Sequence, residues 1–276
     1  MTLKRDETGR LHIDTPLMAE SLMDKTLLDS TRTEHVFHVL PELSVIKLGG
    51  QSIIDRGARV VLPLIDEIAA ARAQYPLLVL TGGGTRSRHA YAIALDLGMP
   101  TGVLAKLGSS ISEQNALMIS LLLAPHGGIK IDQDDMTKLP AYLALGSIPV
   151  MHAMPPYSLW EEPAERGRIP PHRTDSGAFL TAEVLGARRC ILIKDERGLF
   201  TADPKKDPKA EFIPEIEVKD LLAMDLADLA VERAMLHALS RAQSVWEVFL
   251  VNGREPGNLT RALAGENPGT RIYRRG

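Results

Sequence analysis

The spacing of apolar residues changes period repeatedly along the chain, and each change predicts an element. Residues 43–53 read LSVIKLGGQSI, a short apolar run that passes a lysine and ends in a glycine pair. That is the pattern of a buried strand entering a tight turn. Over 55–75 the apolar positions Val61, Leu64, Ile65, Ile68 and Ala69 fall at helical spacing. Pro63 lies within them and predicts a kink or a late helix start, because it has no backbone N–H to donate. Residues 76–80 form a second buried run, which ends in Thr81-Gly82-Gly83-Gly84-Thr85 before a helical stretch over 86–97.

Residues 108–123 predict an amphipathic helix, with Ser110 and Glu113 spaced as a capping box. Short strands are expected at 128–131, 141–145 and 148–152, with Gly146-Ser147 as a tight hairpin between the last two. The stretch 154–173, MPPYSLWEEPAERGRIPPHR, is rich in proline, aromatics and charge and reads as one long irregular loop. Thr174-Asp175 is placed to cap a helix over 176–185, and a buried strand follows at 187–193. Further helices are expected near 218–222, 231–241 and 256–264, and strands at 245–251 and 269–273. Residues 1–33 show no strand pattern. They read either as an arm, with a short helix at 19–28, that packs on another subunit or as a disordered tail; 34–276 read as a single domain.

Strands alternating with helices, with the glycine-rich loops at strand ends, predict an α/β fold: a three-layer αβα sandwich around a mainly parallel sheet. A Rossmann dinucleotide site is excluded, because neither loop reads G-x-G-x-x-G with an acidic residue about 20 positions on. The P-loop pattern is absent too.

Composition narrows the function classes. The 276 residues carry 45% hydrophobic and 24% charged side chains, and 32 basic against 35 acidic groups give a net charge of −3. No global attraction to nucleic acid or an anionic membrane follows from that balance, so any bound anion needs local donors. The single cysteine, Cys190, lies in an apolar run and reads as a small buried hydrophobe. With neither a membrane-length apolar run nor a secretory pattern at the start, the expected location is cytoplasmic.

The local donors are there to be read. Glycines let the backbone approach a ligand closely, and a lysine beside them supplies a mobile charge for a phosphate oxygen. A helix that starts just after such a loop adds free N–H groups. Two strand–glycine–helix units together point to phosphate.

Four stretches, VIKLGGQSI, LVLTGGGTRSRH, HRTDSGAFLTAEVLGARRCILIKDERGLFTADPKKDPKAEF and VNGREPGNLTRALAGENPGT, resemble the amino-acid-kinase family, and its uridylate-kinase branch especially. The resemblance covers nearly everything after about residue 43. It implies ATP with Mg²⁺ as cofactors and, commonly in that branch, a hexamer. It also implies roles for individual residues. Lys47, Gly49 and Gly50 match the ATP-phosphate loop, and Gly82, Gly83 and Gly84 the loop near the acceptor and transferred phosphate. Asp175 matches the motif beside the acceptor phosphate. Lys194 and Asp195 match the strand end that holds nucleotide, with Asp195 expected to orient the phosphate-binding Lys47. Gly198, Phe200, Asp203 and Pro204 match the nucleotide loop. Lys47 and Asp195 are the expected catalytic pair.

The acceptor half departs from the kinase pattern. Glu113-Gln114-Asn115-Ala116-Leu117 stands where uridylate kinases carry Asp and Met-Gly-Met. RIPPHRTD precedes the helix that carries Asp175, and Gly49 replaces the usual serine. PPYSLWEEP, RIPPHRTDSGAF and GGGTRSRH are similar to the molybdenum-storage branch of the family, and to its alpha-type chains most closely. That resemblance implies ATP hydrolysis, with water as acceptor, driving molybdate or tungstate into oxoanion clusters. The expected container is a cage of alternating alpha and beta chains, a trimer of heterodimers. Imidazole, ammonium and amide groups suit such clusters, which makes His152, His172, Lys130 and Gln133 the candidate metal-cluster contacts. A small-molecule kinase of the uridylate-kinase type and a non-catalytic nucleotide-binding regulator are the competing readings.

Overall fold

The computed structural model describes residues 3–5, 7–13, 17, 22–32 and 35–275. They form two compact units, Met1–Phe37 and His38–Gly276. In the first, β1 (Leu3–Arg5) and β2 (Leu11–Ile13) pair antiparallel, a hairpin the sequence pattern did not predict. Helix α1 (Lys25–Ser30) follows, capped by Asp24 through the Leu27 N–H. The helix expected over 19–28 is thus observed only in part and extends later. Residues 19–21 lie outside the described residues.

The second unit holds an eight-stranded sheet. In chain order it contributes β3 (Ser44–Leu48), α2 (Ala58–Ala71), β4 (Leu77–Thr81), α3 (Thr85–Asp96), α4 (Thr101–Leu123), β5 (Gly128–Lys130), α5 (Leu139–Ala144) and β6 (Ile148–His152). Next come α6 (Thr174–Leu185), β7 (Arg189–Lys194), β8 (Leu199–Phe200), β9 (Phe212–Ile213), β10 (Glu215–Glu217), α7 (Val218–Ala223), α8 (Arg233–Leu239), β11 (Glu247–Asn252), α9 (Asn258–Ala264) and β12 (Thr270–Tyr273). The strand order is β10-β12-β11-β7-β3-β4-β6-β5, and β8 with β9 forms a separate hairpin. Within this sheet all pairs from β11 to β5 are parallel, as is β10 with β12, and β11 with β12 is antiparallel. The mainly parallel sheet flanked by helices is the architecture the sequence predicted.

Alternation along each strand sorts the side chains into two cores. Val45, Leu78, Leu80, Met151, Cys190 and Leu192 pack with Phe179 of α6, Leu221 of α7 and Leu236 of α8. Ile46, Leu48, Val79, Val150, Ile191 and Ile193 pack on the opposite face with residues of α2, α4 and α9. The same alternation puts Lys47 and Lys194 on the α6 face, in step with Val45 and Leu192. It puts His152 on the α4 face, in step with Val150.

Several local expectations change. Residues 141–145 are not a strand: Leu139–Ala144 is a helix with Pro140 at its start, and β5 and β6 run parallel, so Gly146-Ser147 closes no hairpin. Apolar residues at 139, 143 and 145 fit both periods, and in this short segment the proline decides for the helix. The helix expected from 108 begins at Thr101, and Ser110 lies inside it, donating to the Lys106 carbonyl instead of capping. Pro63 sits within α2 without ending it. The late start comes from Gly57, whose φ of 67° suits glycine and turns the chain out of the short 3-10 turn Ile54–Arg56.

Candidate functional site

The C-terminal ends of β3, β4 and β7 open into one cleft of about 650 Å³. Gly49-Gly50 and Gly82–Gly84 meet across it so tightly that a Cβ on Gly82 would lie 2.7 Å from the Gly50 nitrogen. Neither loop tolerates a side chain where they touch. Gly84 has φ of 75°, which turns the backbone into α3. Asn115 on α4 holds the second loop from behind: its Nδ2 donates to the carbonyls of Gly82 (2.6 Å) and Gly83 (3.3 Å). Arg86 donates in turn to the Asn115 side-chain oxygen. Thr81 and Ser112 exchange hydroxyl-to-carbonyl bonds just before the loop. Among the described residues the N–H groups of Gly83 and Gly84 have no protein acceptor, as an anion cradle needs. Among the residues that depart from the uridylate-kinase pattern at 113–117, Asn115 is the one that clamps this loop.

The charge at the site is concentrated on one carboxylate. Lys47 Nζ donates to Asp175 Oδ1 at 2.8 Å, and Lys194 Nζ lies 3.0 Å from Oδ1 and 2.8 Å from Oδ2. Lys47 and Asp175 are 3% exposed each. Burial opposes ionisation of Asp175, but Lys194 and Lys47 outweigh it and hold its pKa well below the usual carboxylate range. Burial lowers the Lys47 pKa, with the Asp175 charge working against the shift. The arrangement has one more positive charge than negative, concentrated beside two glycine loops. A phosphate oxygen would supply the missing anion.

This geometry corrects one expected role. Asp195 lines the cleft but pairs with Arg56, not with Lys47. The carboxylate that orients Lys47 is Asp175, because α6 brings it over the β3 end on the face Lys47 occupies. Gly49, Gly50, Gly82, Gly83, Gly84, Lys194 and Gly198 line the cleft. Phe200, Asp203 and Pro204 do not line it. Phe200 packs edge-on against Phe212 within the β8–β9 hairpin, with ring centres 5.5 Å apart, and Asp203 accepts from the Lys205 N–H in the same hairpin.

The four expected metal-cluster residues are not all brought together. His152, at the end of β6, is buried; burial pushes its pKa down, and its Nδ1 is 3.5 Å from Ser109 Oγ. Lys130 is paired with Glu113 at 2.9 Å and with Asp132. Gln133 donates to the Met154 carbonyl. These three share the β5–β6 end of the sheet. His172 stands apart, on the irregular loop, with its Nδ1 2.9 Å from Glu161 and its ring edge-on to Tyr157. Among the described residues no group of three or more His, Cys, Asp or Glu side chains is arranged to hold a metal ion.

Two acidic residues at the site carried no local signal in the sequence. Asp55 accepts from the Thr85 N–H at 2.6 Å and so caps α3. Glu232 closes the start of α6 from 57 residues away in the chain. Sequence spacing reports neither contact, because both are made by the fold.

The comparisons with known proteins agree with the fold. The model of the family described as "Amino acid kinase family" matches residues 42–246. The molybdenum storage protein subunit beta of Azotobacter vinelandii is 51% identical over 256 residues, which is 93% of this chain and 95% of that protein. The uridylate kinase of Methanothermobacter thermautotrophicus is 27% identical over 80% of this chain and 95% of its own length. The crystal structure of UMP kinase from Bacillus anthracis superposes with a TM-score of 0.65 at 19% identity, covering 86% of this chain and 98% of that one. No helix among the described residues is long and apolar enough to cross a membrane.

Proposed function

The chain belongs to the amino acid kinase family, and on that premise we propose that it is a subunit of an ATP-dependent store for molybdate or tungstate. The observation that carries the storage reading is the 51% identity, along nearly the whole chain, to a protein named for molybdenum storage. The ATP half rests on the cleft. Lys47 and Lys194 present positive charge beside the unpaired N–H groups of the glycine loops. Such fixed donors stabilise charge that spreads over a transferred phosphoryl group.

In this reading Lys47 and the loops at 49–50 and 82–84 bind the phosphates, Asp175 orients Lys47, and water accepts the phosphoryl group. Mg²⁺ would neutralise phosphate charge. The cleft carboxylates fit a cation that arrives with ATP, since Asp175 is committed to two lysines and Asp195 to Arg56. Molybdate and tungstate are cargo. Their contacts are proposed at the β5–β6 end around His152, Lys130 and Gln133, with His172 as a separate contact.

The relative named as a subunit supports an assembly of more than one chain. We propose a cytoplasmic cage in which this chain alternates with a homologous partner as a trimer of heterodimers, residues 1–33 reaching between subunits. The alpha-type identity expected from the motifs stands beside a similar protein named subunit beta. Native mass spectrometry of the chain expressed with each type of partner separates the two.

The test is metal loading. Lys47→Ala is expected to fold and assemble yet lose ATP-dependent loading, read as molybdenum per subunit by elemental analysis. Normal loading by that variant would overturn the proposal. A uridylate-kinase activity is the second reading, favoured by the fold neighbours; UDP formed from ATP and UMP at ordinary kinase turnover would establish it instead.

A further inference from the structure

A buried carboxylate that the sequence did not single out sits behind the lysine pair. Glu232 lies immediately before α8, and the segment leading to it, Leu229 to Val231, forms part of the cleft wall. The residue is 7% exposed. Its Oε2 accepts from the N–H of Arg173 at 2.9 Å, the N–H of Ser176 at 3.0 Å and the Ser176 hydroxyl at 2.7 Å. Its Oε1 accepts from the N–H of Asp175 at 3.1 Å, with Arg173 Nε 3.7 Å away. The first turn of a helix has N–H groups without internal partners and a positive dipole end, so this is where a buried carboxylate is best compensated.

Two consequences follow. The N-terminus of α6 already holds an anion belonging to the protein itself, which leaves the glycine loops as the place for an incoming phosphate. Asp175 is also gripped twice: Glu232 holds its backbone N–H, and the two lysines hold its carboxylate. Arg173 provides no side-chain cap for α6, so the first-turn N–H groups of Asp175 and Ser176 rest on Glu232. A shift there would carry the carboxylate away from Lys47, whose own position is fixed by the β3 ladder.

We propose that Glu232 is a positioning residue for phosphate capture, fixing the first turn of α6 so that a single Asp175 carboxylate spans Lys47 and Lys194. The proposal rests on the reading of the cleft as an ATP site. It makes the α8 segment part of the phosphate machinery, not only part of the core.

The experiment compares ATP with adenosine as probes of the full-length protein. In Glu232→Gln, ATP affinity is expected to fall at least tenfold while adenosine affinity stays within twofold, because only the phosphate end is disturbed. The alkaline limb of the ATP-affinity profile should also move to lower pH, since Lys47 loses carboxylate support. Ser176→Ala removes one of the Glu232 bonds with less risk to folding, and should give the same phosphate-specific loss at roughly two- to fivefold. Equal loss of ATP and adenosine, or no loss in either folded variant, would overturn the proposal. A wild-type protein that binds no ATP would overturn the reading of the cleft, and this role with it.

Discussion

Two places on the sheet's C-terminal edge, its centre at β3 and β7 and its outer end at β5 and β6, handle charge in opposite ways. At β3 and β7, Lys47 and Lys194 share one carboxylate and keep a net positive charge for a ligand. At β5 and β6, Lys130 is shared by two carboxylates, Glu113 and Asp132, and keeps none. The central place is organised in advance for an anion. The second is electrostatically closed within the single chain, and an oxoanion cluster there would have to displace an ion pair. The difference shows that a lysine at a strand end means little until its counter-charges are counted. It also separates the roles that the proposed function gives to the two places.

The largest effect should come from removing the shared carboxylate. Asp175→Asn leaves two cations side by side with no anion between them, and breaking a buried pair in this way costs about 3–5 kcal/mol. Denaturant melts should show that loss, and ATP binding should weaken because Lys47 is no longer oriented. The same residue sets an acid limit. Its pKa is depressed in the folded state, so the unfolded chain binds more protons across the window between the two values. The stability it contributes is whole above the ordinary carboxyl range and is lost as pH falls below it. Wild-type melts between pH 5 and pH 2.5 should therefore lose more stability than melts of Asp175→Asn over the same interval.

A smaller effect is expected behind the second glycine loop. Asn115→Ala removes both donations to the Gly82 and Gly83 carbonyls and leaves those groups buried, a cost of about 1–3 kcal/mol. The freed carbonyls can then rotate toward the cleft. ATP affinity should drop several-fold while the lysine–aspartate arrangement stays intact, which calorimetry with ATP against adenosine would show. Equal affinities in variant and wild type would mean that the loop holds its shape without α4.

How much of this was legible in sequence follows the range of the interactions. The strands β3, β4, β6 and β7 were readable because their apolar runs are local, and the glycine loops because only glycine fits their approach. The lysine pair was readable in part. Period-2 alternation places Lys47 and Lys194 on one face once the strands are known, but the choice of Asp175 over Asp195 as their partner depends on where α6 lands. Glu232 was invisible for the same reason. The segment 139–145 misled because its seven residues fit either period, and the hairpin strands Leu3–Arg5 and Leu11–Ile13 are three residues each, too short for a period to register. Residue type alone points to His152, His172, Lys130 and Gln133, and type does not report that Lys130 is already paired.

The smallest expected effect tests the closed end of the sheet. His152 is buried with its pKa pushed down by burial, so its imidazole is neutral near pH 7 and keeps an unprotonated ring nitrogen. It lies in register with Thr81, the residue before the triple-glycine loop, yet faces α4, away from Lys47. His152→Ala should therefore leave ATP affinity unchanged within twofold. Molybdenum per assembled subunit should fall only partly, because Lys130 and Gln133 remain at the same end. The variant also opens a small cavity beside Ser109, so a modest loss of stability is expected, about 1 kcal/mol. Elemental analysis at fixed ATP, set beside a binding curve for ATP, separates the two places directly. A loss of ATP affinity in His152→Ala would show that the two places are coupled, and unchanged metal content would remove His152 from the storage contacts.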